Sequence, residues 1–204
     1  MPGPLPLAPD RRDALIAATL AEFDAQGYDG ASLNRIIRTV GMSKSSFYHF
    51  VGSKAELFDA VIALLLDDVS ERWRPPSAET FRADFWGSAR AVLDDAGALT
   101  ATDPALRALG RIFYLPGAPE DTGERARLFA AVRGWVGDVL DVGRDAGAVR
   151  ADLPAPLLAD AAFAVLRTID EWVLREERTP ADAEIAERAS LSLIRGLLSP
   201  DADR

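Results

Sequence analysis

Apolar residues recur at spacings of three and four along most of this 204-residue chain, which is typical of helices with one buried face. The segment 33–40 is the clearest case, because its apolar residues stand at positions i, i+3, i+4 and i+7. Ser32 stands at the N-cap position before this segment, and Gly41 can adopt the positive φ of a tight turn after it. The pattern therefore predicts a short amphipathic helix that ends in a glycine turn.

A second helix of barely two turns is predicted directly after that turn. Ser43 is its expected cap, Phe47 and Phe50 lie on its inner side, and Gly52 ends it. The segment 53–56 is then a capping box that opens the next helix. The outer face of the two-turn helix carries only side chains that can donate hydrogen bonds: Lys44, Ser45, Ser46, Tyr48 and His49. A short capped helix with such a face is what recognition in a DNA major groove requires.

Helix signals continue to the end of the chain, and strand signals do not. Caps, prolines and glycines bound seven further predicted helices. They run from Asp10 to near Gly27, from Ser53 to Pro75, from Ser77 to Leu93, from Pro104 to Phe113, from Gly123 to Gly147, from Pro156 to residue 177, and from the cap Thr179–Pro180 to Pro200. The predicted fold class is therefore all-α with about nine helices. We expect a flexible arm at residues 1–9, a three-helix helix-turn-helix domain at 10–56, and a second helical domain at 57–199.

The charges of the chain are distributed unevenly. The net charge of −9 argues against general nucleic-acid binding, yet residues 30–55 contain no Asp or Glu. That window holds four cations, including the only two lysines of the protein, and phosphate contacts need cations without competing carboxylates. The candidate DNA-binding residues are Ser32, Arg35, Arg38, Ser43, Lys44, Ser45, Ser46, Tyr48, His49 and Lys54. The alternative is a plain helical hairpin with a solvated polar face.

The run 41–57, Gly-Met-Ser-Lys-Ser-Ser-Phe-Tyr-His-Phe-Val-Gly-Ser-Lys-Ala-Glu-Leu, resembles the signature of the TetR family of transcriptional regulators. The preceding run 23–33 is also similar to the family's entry into the motif, so the resemblance covers about residues 10–60. It implies phosphate contacts by the residues that match Tyr48 and Lys54. Val51 departs from the pattern, because the family usually has Phe there, and we expect Phe50 to supply the missing aromatic bulk.

An enzyme is not expected. The single histidine, His49, lies on the predicted recognition helix, which leaves no other histidine for a catalytic triad or for metal ligation. Adjacent acids such as Asp94 and Asp95 project about 100° apart on a helix, so they cannot both face one substrate. We also expect no cofactor, no metal and no membrane partner. Zero cysteines and the absence of a long apolar run favour a cytoplasmic location.

The last two long helices, at about 156–177 and 181–198, are apolar around more than one face. A helix that packs once against a core needs a single stripe, so a second stripe predicts a second partner. The simplest partner is the same pair of helices in another subunit, which gives a homodimer that reads a palindromic operator. The alternative is that both helices are central to the core of a monomer.

Aromatic residues of the second domain suggest where a small molecule could bind. By default such residues belong to the core, but several bulky rings that face inward can leave a cavity between them. The candidate ligand-binding residues are Trp86, Arg90, Phe113, Trp135, Phe163, Arg167 and Asp170. The predicted function is a homodimeric repressor that a small, mostly apolar effector releases from double-stranded DNA. The alternatives are a helical interaction module or scaffold without DNA affinity, and a regulator of the same fold without an effector.

Overall fold

The structure is a computed structural model that describes residues 5–119, 122–174 and 180–200. The helices within these ranges are α1 (Pro9–Gly30), α2 (Leu33–Thr39), α3 (Lys44–Tyr48), α4 (Lys54–Arg72), a 3₁₀ helix (Ala78–Phe81), α5 (Phe85–Thr102), α6 (Pro104–Phe113), α7 (Gly123–Asp145), α8 (Ala155–Leu174) and α9 (Pro180–Leu198). No strand occurs in the part of the chain so described. The predicted all-α fold is confirmed.

The chain divides into two compact units. The first comprises Met1–Trp73 and Pro104–Arg127, and the second comprises Arg74–Asp103 and Leu128–Arg204. The proposed division into an N-terminal domain at 10–56 and a second domain at 57–199 is a functional one and stays a prediction.

In the first unit, α1 packs against α2, α4 and α6, and α4 also packs against α6. Phe23 of α1 and Phe58 of α4 are both buried, and their ring centroids lie 5.2 Å apart. The contact between Phe23 and Phe58 fixes α1 against the helix that follows the helix-turn-helix segment.

Leu5 is also buried, although it belongs to the predicted flexible arm, of which residues 1–4 lie outside the described part.

One detail of α1 differs from the sequence prediction. Pro9 occupies the first turn and Ala8 stands at the N-cap, so Asp10 is not the cap but an acid in the first turn, where it faces the positive end of the helix dipole. The predicted end near Gly27 is confirmed as a break in the helix: Gly27 has φ 68°, outside the helical region, and a further turn follows to Gly30.

The core of the second unit is formed by residues of the 3₁₀ helix, α5, α7, α8 and α9. Ser77 was expected to cap one helix through Leu93, and this prediction is wrong. Ser77 makes no side-chain cap and is followed by only one 3₁₀ turn, while the Asp84 side chain accepts from the Gly87 N–H at 2.9 Å and so starts α5. Carboxylates are strong N-caps, so the long helix begins at Asp84 rather than at Ser77.

Helices α8 and α9 pack closely against each other. Leu158 and Ala162 of α8 and Ile194 and Leu198 of α9 are buried in the core. The predicted cap residue Thr179 lies outside the described residues. None of the described helices combines the length and the apolar character that crossing a membrane requires.

Candidate nucleic-acid interface

Helix α3 has five residues, about one and a half turns, and is shorter than the two turns predicted. It is held by one cap and two buried side chains. The Ser43 hydroxyl accepts from the Ser46 N–H at 3.1 Å, which satisfies a donor at the helix start. Phe47 is fully buried, and Val51 is only 2% exposed. Phe50 is merely half-buried, so the expectation that it replaces the missing family aromatic is wrong: Val51 fills the core position itself. Because Phe47 and Val51 hold one side of α3 in the core, the opposite face of this helix is left outside the core.

That opposite face is exposed as predicted. Lys44, Ser45, Tyr48 and His49 are exposed, and Tyr48 is 47% accessible. Ser46 is half-buried, so it is turned further from solvent than its neighbour Ser45. The exposed face therefore offers one cation, hydroxyl groups and an imidazole over little more than one helical turn.

Helices α2 and α3 pack together across the Gly41 turn, where φ is 65°. A shallow hollow of about 400 Å³ lies beside this turn. It is lined by Asn34, Ile37, Arg38, Met42 and Lys44. The hollow brings the two predicted cations Arg38 and Lys44 to one surface. Sequence reasoning missed Asn34 there, although its place one helical turn before Arg38 is a signal that helix periodicity provides.

Arg35 and Ser32 are hydrogen-bonded to α1. The Arg35 Nε donates to Glu22 Oε1 at 2.7 Å, and its Nη2 donates to the Gly30 carbonyl at 2.7 Å. The Ser32 backbone N–H donates to the same Glu22 oxygen at 2.8 Å, while the Ser32 side chain makes no cap. The hydrogen bond from Arg35 lowers the pKa of Glu22 below its ordinary value. The hydrogen bonds of Glu22 with Arg35 and Ser32 join the start of α2 to α1, so they position α2 and the helix α3 that follows it.

Lys54 is likewise turned toward the protein. Its Nζ donates to the carbonyl oxygens of Tyr28 at 2.6 Å and of Asp29 at 3.1 Å. The next helix starts beside it with the predicted cap: the Ser53 hydroxyl accepts from the Glu56 N–H at 3.1 Å. The Glu56 carboxylate reaches back to the Gly52 N–H at 2.8 Å rather than to Ser53, which differs from the usual capping box by one residue.

The candidate ligand-binding residues lie in both units of the chain. Phe113 belongs to the first unit and the other six belong to the second. In the second unit, Trp135 donates from Nε1 to the Pro76 carbonyl at 2.8 Å, whereas Phe163 packs on Phe129, which also lies under the Arg167 guanidinium. Arg90 lines a hollow between α5 and α9. That these residues bind one ligand stays a prediction.

Comparison with known proteins identifies the segment that carries the predicted interface. Residues 15–61 match the family described as bacterial regulatory proteins of the tetR family. The HTH-type transcriptional regulator BetI 2 of Chromohalobacter salexigens is 37% identical over 65 residues, which span 32% of this chain and 31% of that protein. The regulator LmrA of Bacillus subtilis is 43% identical over 49 residues, which span 24% of this chain and 26% of that protein. The chain thus matches about a third or less of the length of these curated relatives.

Solved structures extend the likeness of fold to nearly the whole chain. A TetR family transcriptional regulator from Chloroflexus aurantiacus superposes with a TM-score of 0.62 at 23% identity, covering 93% of this chain and 94% of that one. NalD of Pseudomonas aeruginosa, a secondary repressor of the MexAB-OprM multidrug efflux pump, superposes with a TM-score of 0.61 at 18% identity, covering 94% and 98%. Residues 15–61, which match the tetR family of bacterial regulatory proteins, are thus part of a chain whose fold resembles these structures along nearly its whole length.

Proposed function

We propose that this protein is a transcriptional regulator that binds double-stranded DNA through α2 and α3. The observation that carries the proposal is the exposed face of α3, which stands in a window of 26 residues, 30 to 55, without a single carboxylate in a chain of net charge −9. A bound duplex would meet cations and hydroxyl groups there, while the acidic remainder of the chain is repelled.

We assign roles to the residues of this face from their exposure and their contacts. Lys44 and Arg38, which share one hollow, are assigned to phosphates, and Tyr48 and His49 extend this contact along the exposed face. Ser45 is assigned to the base edges, because it is the exposed short donor near the helix start. Arg35 and Lys54 act as positioning residues, since their cationic groups are engaged within the protein.

We further propose that the regulator is a homodimer joined through α8 and α9, and that it reads a palindromic operator. Leu157 of α8 and Ile185 and Leu193 of α9 are at least half exposed, which is unusual for large aliphatic side chains. One recognition helix of about one and a half turns contacts too few bases for useful specificity, so a second copy at a related half-site supplies the rest.

The proposed mode of regulation is repression that a small, mostly apolar effector relieves. Its support is the aromatic content of the second unit, where Trp86, Trp135 and Phe163 are all half-buried rather than closed into the core, and the likeness of fold to NalD, which is a repressor. An effector can release DNA only through different affinities for the two states of the dimer. A helical interaction module without DNA affinity is the competing proposal, and DNA binding separates the two.

The experiment is a selection of genomic fragments by the purified protein, followed by salt titrations of its binding to the recovered fragment. We expect the Arg38→Ala, Lys44→Ala double variant to weaken binding and to lower the slope of log affinity against log salt by about two units, one for each lost phosphate contact. Arg133→Ala is the matched control, because this arginine pairs with Asp160 in the second unit. The assignment fails if the double variant keeps both the affinity and the salt slope of the natural chain. Failure to enrich any fragment supports the interaction module instead.

A further inference from the structure

The second unit carries an arginine-lined hollow on its surface that the DNA-binding function does not use. It lies between α5 and α9 and has a volume of about 270 Å³. Its walls include Arg90, Leu93 and Asp94 from α5 and Arg188, Leu191 and Arg195 from α9. Three guanidinium groups around one small hollow are conspicuous in a protein of net charge −9.

These arginines remain available to a ligand. Arg90, Arg188 and Arg195 are exposed. The ion pairs between described side chains involve other arginines, such as Arg133 with Asp160. Asp94 is the one acid among the described residues that line the hollow, so the three arginines exceed it by two positive charges there.

The hollow lies on a face of α9 that differs from its core face and from its exposed apolar face. Ser190, Ile194 and Leu198 face the core, whereas the half-exposed Ile185 and Leu193 lie on another side of the helix. Arg188, Leu191 and Arg195 follow one another at spacings of three and four, so they form a third face. The hollow is thus distinct from the apolar stripe that we assign to the dimer.

We propose that this hollow binds a small organic anion, a carboxylate or a phosphate ester with a short apolar chain. The anionic group would accept hydrogen bonds from the guanidinium groups, whose planar donor sets match both carboxylate and phosphate oxygens. The apolar chain lies along Leu93 and Leu191. A volume of about 270 Å³ stands just below the range of drug-sized pockets, which fits a chain of about six carbons. The proposal goes beyond DNA binding and does not rest on it.

The structure also supplies a spectroscopic reporter. The Arg195 guanidinium carbon lies 5.0 Å from the centre of the Trp86 ring, and Trp86 is one of four tryptophans. An anion that draws Arg195 into the hollow changes this cation–π contact and with it the emission of Trp86. Trp86→Phe identifies the part of the signal that comes from this ring.

The test uses the full chain and four probes of equal chain length: hexanoate, hexyl phosphate, hexan-1-ol and hexylammonium. Titration calorimetry measures binding, and tryptophan emission reports its location. We expect saturable binding of hexanoate, hexyl phosphate or both, weakened by added salt, and at least about tenfold weaker affinity in the Arg188→Ala, Arg195→Ala double variant. The two anionic probes distinguish a carboxylate from a phosphate ligand.

Arg133→Ala again serves as the control and should leave the affinity unchanged. Because Arg188 and Arg195 are exposed, their truncation should not unfold the protein, and circular dichroism checks this. The proposal is overturned if neither anion binds at millimolar concentration, if hexan-1-ol or hexylammonium binds as well as the anions, or if the double variant binds with unchanged affinity. DNA binding by the same variant, measured in parallel, shows that the two proposals stand or fall separately.

Discussion

The Nζ of Lys54 donates a hydrogen bond of 2.6 Å to the carbonyl oxygen of Tyr28 and lies 4.8 Å from the centre of the same residue's ring. A single side chain thus joins the first turn of α4 to the turn at the end of α1, 26 residues earlier in the chain. The Tyr28 ring also packs edge-on against Phe58, with 5.3 Å between the ring centroids. Lys54 therefore holds the base of the helix-turn-helix segment together.

This relationship predicts that the two lysines of the protein have different roles. Lys54→Met should lower the free energy of unfolding by about 1–2 kcal/mol, because it removes charge-assisted hydrogen bonds and a cation–π contact. Lys44→Met should change stability by less than about 0.5 kcal/mol, because Lys44 is exposed on α3. Urea denaturation of both variants measures the difference. Equal stability of the two variants would show that Lys54 does not hold this turn.

The ion pair between Glu22 and Arg35 predicts a pH-dependent contribution to stability. Arg35 lowers the pKa of Glu22 in the folded protein, so the folded state favours the charged carboxylate more than the unfolded state does. Its stabilisation is fully present above the unfolded pKa of about 4.3 and is lost as the pH falls through the lower folded pKa. Glu22→Gln should therefore be less stable than the natural chain at pH 7, and the two should converge at acidic pH.

Urea denaturation at a series of pH values tests this convergence. Asp13→Asn is the control, because this acid is exposed on the same helix and forms a loose pair with Arg12 at 3.8 Å. It should leave stability close to that of the natural chain. If the difference in free energy of unfolding between the natural chain and Glu22→Gln stays constant with pH, the role assigned to the Glu22–Arg35 pair is contradicted.

Two glycines of α7 should respond in opposite ways to alanine. A Cβ at Gly143 would lie 2.5 Å from Phe85 Cε2 and 2.6 Å from Val149 Cγ2, so Gly143→Ala overpacks the core of the second unit and should cost about 1–3 kcal/mol. A Cβ at Gly137 meets nothing within 4 Å, and Gly137→Ala should stabilise the helix by up to about 1 kcal/mol. Thermal unfolding compares them, and a stabilising Gly143→Ala would show that this contact relaxes without cost.

The features that the sequence predicted best are local. The caps by Ser43 and Ser53 reach only three residues ahead, and the positive φ of Gly41 follows from the turn it occupies. Helix periodicity likewise placed Phe47 on the inner side of its helix, and the structure buries it, because burial repeats with the helical turn.

The features that the sequence missed depend on contacts between distant residues. Arg35 stands in the acid-free window, but folding brings it to Glu22, 13 residues earlier, and Lys54 is paired across 26 residues. Neither partner is visible in the local charge pattern. The same holds for the packing of whole helices: periodicity indicates which side of a helix is inward, and it does not tell which helices face each other.

The exposed apolar stripe on α8 and α9 predicts how the protein associates. Leu193 is 55% exposed in a single chain, so Leu193→Glu should cost the isolated chain little, whereas in a homodimer it places a charge in a dry contact. We expect the dimer dissociation constant to rise at least about a hundredfold, which corresponds to about 2.7 kcal/mol. Ala91→Glu on α5 is the control, because it adds the same charge at an exposed position of the same unit. Analytical ultracentrifugation of all three proteins measures the effect. A natural chain that is monomeric at micromolar concentration would contradict the homodimer. A dimer that Leu193→Glu leaves intact would place the interface elsewhere.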